Sequence, residues 1–178
     1  MNTQTIRAFL LIDLDGKRIY SKYYEKNPSL SLQKQQDIEN RVAKSVASKG
    51  NNDLFLLDKY VVIYRQLSDT IVAMLTDPSE NEIFVNMTLN CIVDGFDKIF
   101  ERGFDKKIAL EYYDKIAIAI DEVIDDGIVL ETDSQALADR VNFKNLEGTE
   151  SAGFSEISLS SALNFAKGSL LSFWKGGK

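Results

Sequence analysis

None of the 178 residues is histidine, which excludes serine–histidine and cysteine–histidine nucleophile pairs and every histidine metal site. A single cysteine, Cys91, leaves no intrachain disulfide to form. No segment approaches the roughly 20 consecutive apolar residues that a membrane span requires. The opening "MNTQTIRAFLLID" carries too short an apolar run for a signal peptide, so a soluble, cytosolic protein is expected. Basic residues are also in deficit: 21 Lys and Arg against 27 Asp and Glu give a formal charge of −6. Nucleic-acid binding needs clustered cations in excess, so no nucleic-acid partner is expected.

What remains is an ordinary globular composition, 44% hydrophobic and 27% charged, long enough for one domain with an appendage. The stretch "LIDLDGKRIYSKYY" from Leu11 to Tyr24 raises the first chemical question. An apolar strand ending in Asp-x-Asp-Gly resembles the first motif of haloacid-dehalogenase phosphatases, in which the two aspartates are nucleophile and acid. Here Gly16 is followed by Lys17, Arg18 and at once a second strand, with none of the hydroxyl residue or cap that such chemistry needs. Asp15-Gly16 therefore predicts a tight two-residue hairpin turn with positive φ at both positions. On that reading Asp13→Asn costs little stability, and Asp15→Ala costs more.

Alternation predicts the first strand from Ile6 to Leu14, with Ile6, Ala8, Leu10, Ile12 and Leu14 on one face. Phe9 and Leu11 make the other face apolar too, which is the mark of a central strand. "KRIYSKYY" returns as the second strand, with Ile19 and Tyr23 sharing a face. Between Ser29 and Lys49 the period changes to that of an amphipathic helix, with Leu32, Ile38, Val42 and Val46 as its stripe. "LFLL", "YVVIYRQL" and "TIVAMLTD" then read as an antiparallel meander, broken at Asp58-Lys59 and Ser68-Asp69.

A helix opening between Pro78 and Glu82 and reaching about Arg102 is apolar almost all round. Such a helix is covered on more than its sheet side. A second, from Asp105 to about Asp125, packs Ala109, Tyr113, Ile116, Ile120 and Val123 inward. The Met and aromatic positions of both helices read as core, and Cys91 as a buried small hydrophobe. "DDGIVLETD" is a turn and an extended piece, and residues 134–141 a short helix. The acidic group Asp121, Glu122, Asp125, Asp126, Glu131 and Asp133 lacks the loop spacing of a calcium site and reads as a solvated face. No metal, cofactor or small-molecule substrate is expected.

The predicted domains are residues 1–141, a polar linker at 142–155, and a C-terminal amphipathic helix and tail at 156–178. In that last helix Leu159, Leu163, Ala166, Leu170 and Phe173 or Trp174 form one apolar seam, of the kind that lies in a groove of something larger. These six residues are the protein-interface candidates.

The stretches "IRAFLLIDLDGKRIYSKYY", "LNCIVDGFDKIF" and "IDEVIDDGIVLETD" resemble the zeta subunits of coatomer, the coat of vesicles moving between Golgi and endoplasmic reticulum. The likeness runs from about Thr5 to Val141 in order. "VIDDGIVLETD", with "LNCIVDGF" upstream of it, separates zeta chains from the clathrin-adaptor sigma chains, the longin domains of some SNAREs and the tethering-complex subunits that share the plan. Past Val141 the sequence matches the family in having a terminal helix more than in its residues.

The resemblance implies an α/β fold of longin type: a five-stranded antiparallel sheet, the first helix on one face and the two long helices on the other. It also implies a structural, non-enzymatic role, paired with the coatomer gamma subunit and through it with the beta and delta subunits. An Arf-type GTPase would bring the whole to Golgi membranes and COPI vesicles. A sigma-type chain that binds sorting peptides, or another longin-like tethering subunit, is the alternative.

Overall fold

A computed structural model describes residues 5–24, 30–49 and 52–149. The chain divides into two units, Met1–Phe143 and Lys144–Lys178; the first holds the described core. Its elements in chain order are β1 (Ile6–Asp13), β2 (Arg18–Tyr23), α1 (Leu32–Lys49), β3 (Asn52–Leu57), β4 (Tyr60–Leu67) and β5 (Thr70–Thr76). They continue with α2 (Glu82–Ile99), α3 (Lys106–Glu111), α4 (Tyr113–Val123), β6 (Ile124–Asp125), β7 (Ile128–Val129) and α5 (Ser134–Thr149). The first five strands form one antiparallel sheet in the order β2-β1-β5-β4-β3.

Both faces of that sheet are covered, and a separate apolar cluster lies on each. Ala8, Leu10, Ile12, Val62, Tyr64, Ile71, Ala73 and Leu75 meet Ile38, Val42 and Val46 of α1 on one side. Phe9, Leu11, Val61, Ile63, Val72 and Met74 meet Val85, Leu89, Ile92 and Phe96 of α2, and Ile116, Ile120 and Val123 of α4, on the other. Every residue of β1 and of β5 is buried, as strands apolar on both faces must be.

Two irregularities override simple alternation. The register shifts between Ile6 and Ala8, so Ile6 joins Phe9 and Leu11 under α2 instead of Ala8 and Leu10. A second shift lies where Leu11 pairs with Tyr20 but Ile12 with Arg18. Ile19 is the extra residue of that bulge and packs with the α2 cluster, whereas Tyr23 packs with the α1 cluster. The expectation that Ile19 and Tyr23 share a face is therefore corrected. Leu14 lies past the strand end and is exposed.

The Asp15-Gly16 turn differs from expectation as well. The Gly16 amide donates to the Asp13 carbonyl at 3.0 Å and the Asp13 amide to the Lys17 carbonyl at 2.9 Å, and here only Gly16 has positive φ, 84°. These are the marks of a three-residue loop ending in a left-handed glycine. A Cβ at Gly16 would also meet the Asn40 Oδ1 of α1 at 2.8 Å. The two-residue turn with both φ positive is found instead at Asp126 (43°) and Gly127 (81°), closing the β6–β7 hairpin. Within "VIDDGIVLETD", then, the Gly127 carbonyl accepts from the Ile6 amide at 2.9 Å and the Leu130 amide donates to the Val123 carbonyl at 2.8 Å, clipping the end of α4 to the start of β1.

The later helices also depart from expectation. The helix predicted from Asp105 to about Asp125 is split at Tyr112, whose φ of −115° and ψ of 41° lie outside the helical region. α5 extends past Val141 to Thr149, into the stretch expected as linker.

Candidate partner interface

The residues that first suggested chemistry are engaged in holding the fold. Asp13 Oδ1 accepts from the amides of Asp15 (3.0 Å) and Lys17 (2.8 Å), and its Oδ2 from Lys106 Nζ (2.8 Å). Burial pushes the Asp13 carboxyl upward, but Lys106 and the two amides outweigh it and hold the group below its ordinary value. Asp13 thus ties the hairpin to α3 and Asp15 is exposed, which reverses the expected ranking of the two: Asp13 carries the turn.

The acidic group is likewise dispersed into local contacts. Asp121 accepts from Lys22 at 2.6 Å, and Arg140 reaches Glu131 at 2.8 Å and Glu122 at 3.8 Å. Asp133 caps α5 by accepting from the amides of Gln135 and Ala136, and those bonds hold its carboxyl below the usual range. Among the described residues no cluster of three or more metal-ligating side chains is placed to hold an ion. Cys91 is buried, and burial, followed by the charges of Glu131, Asp133 and Asp94, pushes its thiol up to about 11. It is a core residue, not a nucleophile.

An open cavity of about 460 Å³ lies between the end of α2 and the α3–α4 junction, lined in part by Lys98, Arg102, Lys115, Glu101, Glu111 and Tyr112. Three cations and two carboxylates around one cavity produce no strong field of either sign.

A different surface stands out for what it leaves uncovered. Asn81 caps α2, its side chain accepting from the amides of Ile83 and Phe84 at 3.0 and 3.3 Å, which fixes where the helical row begins. With Val85, Leu89, Ile92 and Phe96 turned to the sheet, 3.6-residue periodicity puts Ile83 and Met87 on the opposite row. They are 73% and 53% exposed, and Phe84 beside them is 37% exposed. Met87 and Phe84 correct the reading of every Met and aromatic position on the long helices as core; Tyr113, at 47% exposed, corrects it on α4.

The bare surface continues onto the sheet. Leu54 and Leu56 of the edge strand β3 pair with Ile63 and Val61, which lie beneath α2, so they point to the α2 side. The helix packs on β4 and β5 and leaves them 46% and 66% exposed. Between the two groups Arg65 Nη2 donates to Asn86 Oδ1 at 2.7 Å and Asn90 Oδ1 at 3.0 Å, pinning the flank of α2 nearest β3.

Most of the remaining apolar surface of α2 is covered by its own chain. α4 packs on it, and Leu137 of α5 comes so near Gly95 that a Cβ there would lie 2.6 Å from Leu137 Cδ2. The sequence candidates Leu159, Leu163, Ala166, Leu170, Phe173 and Trp174 lie outside the described residues. The surface residues Leu54, Leu56, Ile83, Phe84 and Met87 were not singled out from sequence. A helical wheel anchored on Val85, Leu89 and Ile92 contains the signal for the last three.

Among the described residues no helix is long and apolar enough to cross a membrane. Residues 5–147 match the clathrin adaptor complex small chain family. The coatomer subunit zeta of Saccharomyces cerevisiae is 33% identical over 151 residues, covering 80% of this chain and 79% of that one. The probable coatomer subunit zeta-A of Dictyostelium discoideum is 37% identical over 144 residues, covering 79% and 81%. In three dimensions the fold is similar to a chain of the full-length AP-3 complex, a homology model in a stretched open conformation. That likeness has a TM-score of 0.66 at 16% identity and covers 82% of this chain and 98% of that one. The chain belongs to the clathrin adaptor complex small chain family, within its coatomer zeta group.

Proposed function

We propose that this protein is a non-enzymatic building block of a coatomer-type vesicle coat, pairing stably with the coat's gamma subunit. Through gamma it joins the beta and delta subunits, and the assembly is brought to Golgi membranes by an Arf-type GTPase for retrograde and intra-Golgi transport. The observation that carries the reading is the zeta similarity across four-fifths of the chain, which includes the hairpin segment "VIDDGIVLETD" that separates zeta from sigma chains. The apolar surface left bare on α2 is what a subunit with an obligate partner presents.

A sigma-type peptide reader is the second reading, favoured by the three cations around the 460 Å³ cavity and opposed by the carboxylates of Glu101 and Glu111 beside them. The test is co-expression with the trunk of a coatomer gamma subunit and, separately, with the large chain of a clathrin adaptor. Stoichiometric co-purification with gamma alone is the expected result. Preference for the adaptor chain, together with binding of an acidic dileucine peptide, would replace the coat reading by the second.

A further inference from the structure

Resting in part on the coat reading above, we infer that Ser79, in the turn between β5 and α2, accepts a regulatory phosphoryl group. An acidophilic protein kinase places it on the free chain, where it keeps that chain from its large partner. The sequence supplies the recognition. Kinases of this class hold a substrate serine through carboxylates that follow it, above all one three residues on, by charge-assisted hydrogen bonds from their own cations. Ser79 is followed by Glu80 and Glu82, and no other Ser or Thr of the chain has a carboxylate at its third following position.

The local structure supplies the access. Ser79 and Glu82 are exposed, whereas Thr70, Thr76 and Thr88 are buried. The turn is closed by the Glu80 amide donating to the Asp77 carbonyl at 3.0 Å, and the helix after it begins at the Asn81 cap. Laying Ser79 and Glu82 in a kinase cleft therefore opens a turn and a helix end, and such ends open at far lower cost than the middles of elements. The Ser79 hydroxyl oxygen then attacks the γ-phosphorus of magnesium-bound ATP. The new O–P bond forms as the bond from that phosphorus to the β–γ bridging oxygen breaks; ADP leaves, and the hydroxyl proton passes to the kinase's catalytic aspartate.

The product carries a charge of about −1.5 to −2, four residues ahead of Ile83 and in the turn that leads into the bare apolar row. The charges already in place are engaged elsewhere or share its sign. Arg7 is held by Asp77, Arg65 by Asn86 and Asn90 farther along α2, and Lys98 at the far end of the helix by Ser134. Glu80 and Glu82 are acidic. On the free chain the phosphate stays in water beside the positive end of the α2 dipole, which favours it, so the fold is kept. Covering the row with a partner would take the phosphate out of water, and an ionised group resists that transfer.

The test treats the full free chain, and separately the chain purified with the gamma trunk, with magnesium ATP and the acidophilic enzyme casein kinase 2, and locates phosphate by mass spectrometry. The free chain should take phosphate at Ser79, the complex should be protected, and Ser79→Ala should lose the label. Glu82→Gln should be labelled about tenfold more slowly, as loss of one charge-assisted contact brings. The phosphorylated chain should bind the trunk at least about tenfold more weakly than the parent, with an unchanged thermal midpoint, while Ser79→Ala binds as the parent does.

If the free chain takes up no phosphate at Ser79, or if Ser79→Ala is labelled as the parent is, the inference falls. If the phosphorylated chain binds the trunk as the parent does, or the complex is labelled as fast as the free chain, Ser79 does not govern pairing and the regulatory role falls while the coat reading stands. If the unmodified chain binds no gamma trunk, the coat reading is lost and the control of pairing with it, whatever the labelling of Ser79.

Discussion

The two helices on either side of the sheet are of equal length, 18 residues each, yet they present opposite surfaces outward. On α1 the outward positions Gln33, Lys34, Gln36, Asp37, Asn40, Lys44 and Ser48 are exposed and polar, with Leu32 at its first turn the one large apolar exception. On α2 the first outward turns are Ile83, Phe84 and Met87, and the later ones Asp94, Asp97 and Lys98. The inner stripes do not differ in this way; both are buried and mostly apolar, with Glu39 the charged exception on α1. Folding of the domain therefore explains the inside of each helix but only the outside of α1. The outside of α2 has a composition that solubility alone would not select.

The α2 side is packed through one contact with no slack. Gly95→Val would drive a branched side chain into Leu137, which is fully buried. Overpacking of this kind is expected to cost about 2–3 kcal/mol, and since the contact holds α5 on α2, hydrogen exchange across residues 134–141 should rise with it. Unchanged exchange there, with stability preserved, would mean that α5 is not what covers this flank of α2, and that more of the helix is free for a partner than Ile83, Phe84 and Met87.

The α1 side is held by a buried charge instead. Glu39 is 1% exposed and accepts from Arg18 Nε at 2.9 and 3.1 Å and from the Tyr23 hydroxyl at 3.0 Å. Burial, with Glu39 beside it, drives the Tyr23 hydroxyl far above its ordinary range. Glu39→Ala strands a donor on β2 and is expected to cost about 2 kcal/mol in urea unfolding, less than a fully buried pair because Arg18 is partly solvated. Trunk affinity should survive the change. A loss of partner binding at constant melting temperature would place the interface on the polar helix and break the comparison.

Much of this architecture was legible. Strand alternation, the stripe Ile38, Val42 and Val46, and the meander all follow from periodicity, because side-chain direction repeats every two or 3.6 residues. What was not legible arises where one residue breaks the count. The inserted residue Ile19 and the shift between Ile6 and Ala8 exchange faces, and no period-two rule anticipates a bulge. Asp15-Gly16 and Asp126-Gly127 are the same dipeptide in two turns of different length, decided by what packs against them: Asn40 of α1 in the first case and the β1 amide in the second. The outward face of α2 needed the position of β3, because an all-apolar helix does not announce which row the sheet leaves uncovered.

Asp13 joins the two sides, since its turn rests on α1 at Gly16 while its carboxylate reaches Lys106 of α3. Asp13→Ala loses three hydrogen bonds and is expected to cost about 1–2 kcal/mol, whereas Asp15→Ala should cost less than about 0.5 kcal/mol. The folded carboxyl titrates below its unfolded value, so its stabilising effect is complete above the unfolded value near 3.8 and is lost as pH falls through the lower folded one. The parent should therefore lose more stability than Asp13→Ala on acidification below about pH 4. Parallel acid-unfolding curves for the two would show that the carboxylate is not held in the way its three donors imply.

The smallest effect on folding is expected at Ile83, and it bears most directly on the contrast between the helices. Ile83→Ser and Leu32→Ser each remove a side chain that is at least 70% exposed, so each should change the unfolding free energy by less than about 0.5 kcal/mol. Their effects on the free chain should nevertheless diverge. Leu32 stands alone at the start of a polar helix, so replacing it takes away an isolated apolar group of the sort found on any surface. Ile83 sits beside Phe84 and Met87, so replacing it divides a contiguous patch and should raise the concentration at which the unpartnered protein first self-associates in light scattering. If both serine variants change self-association equally, exposure alone sets the behaviour of the free chain, and the outward surfaces of α1 and α2 differ in composition without differing in use.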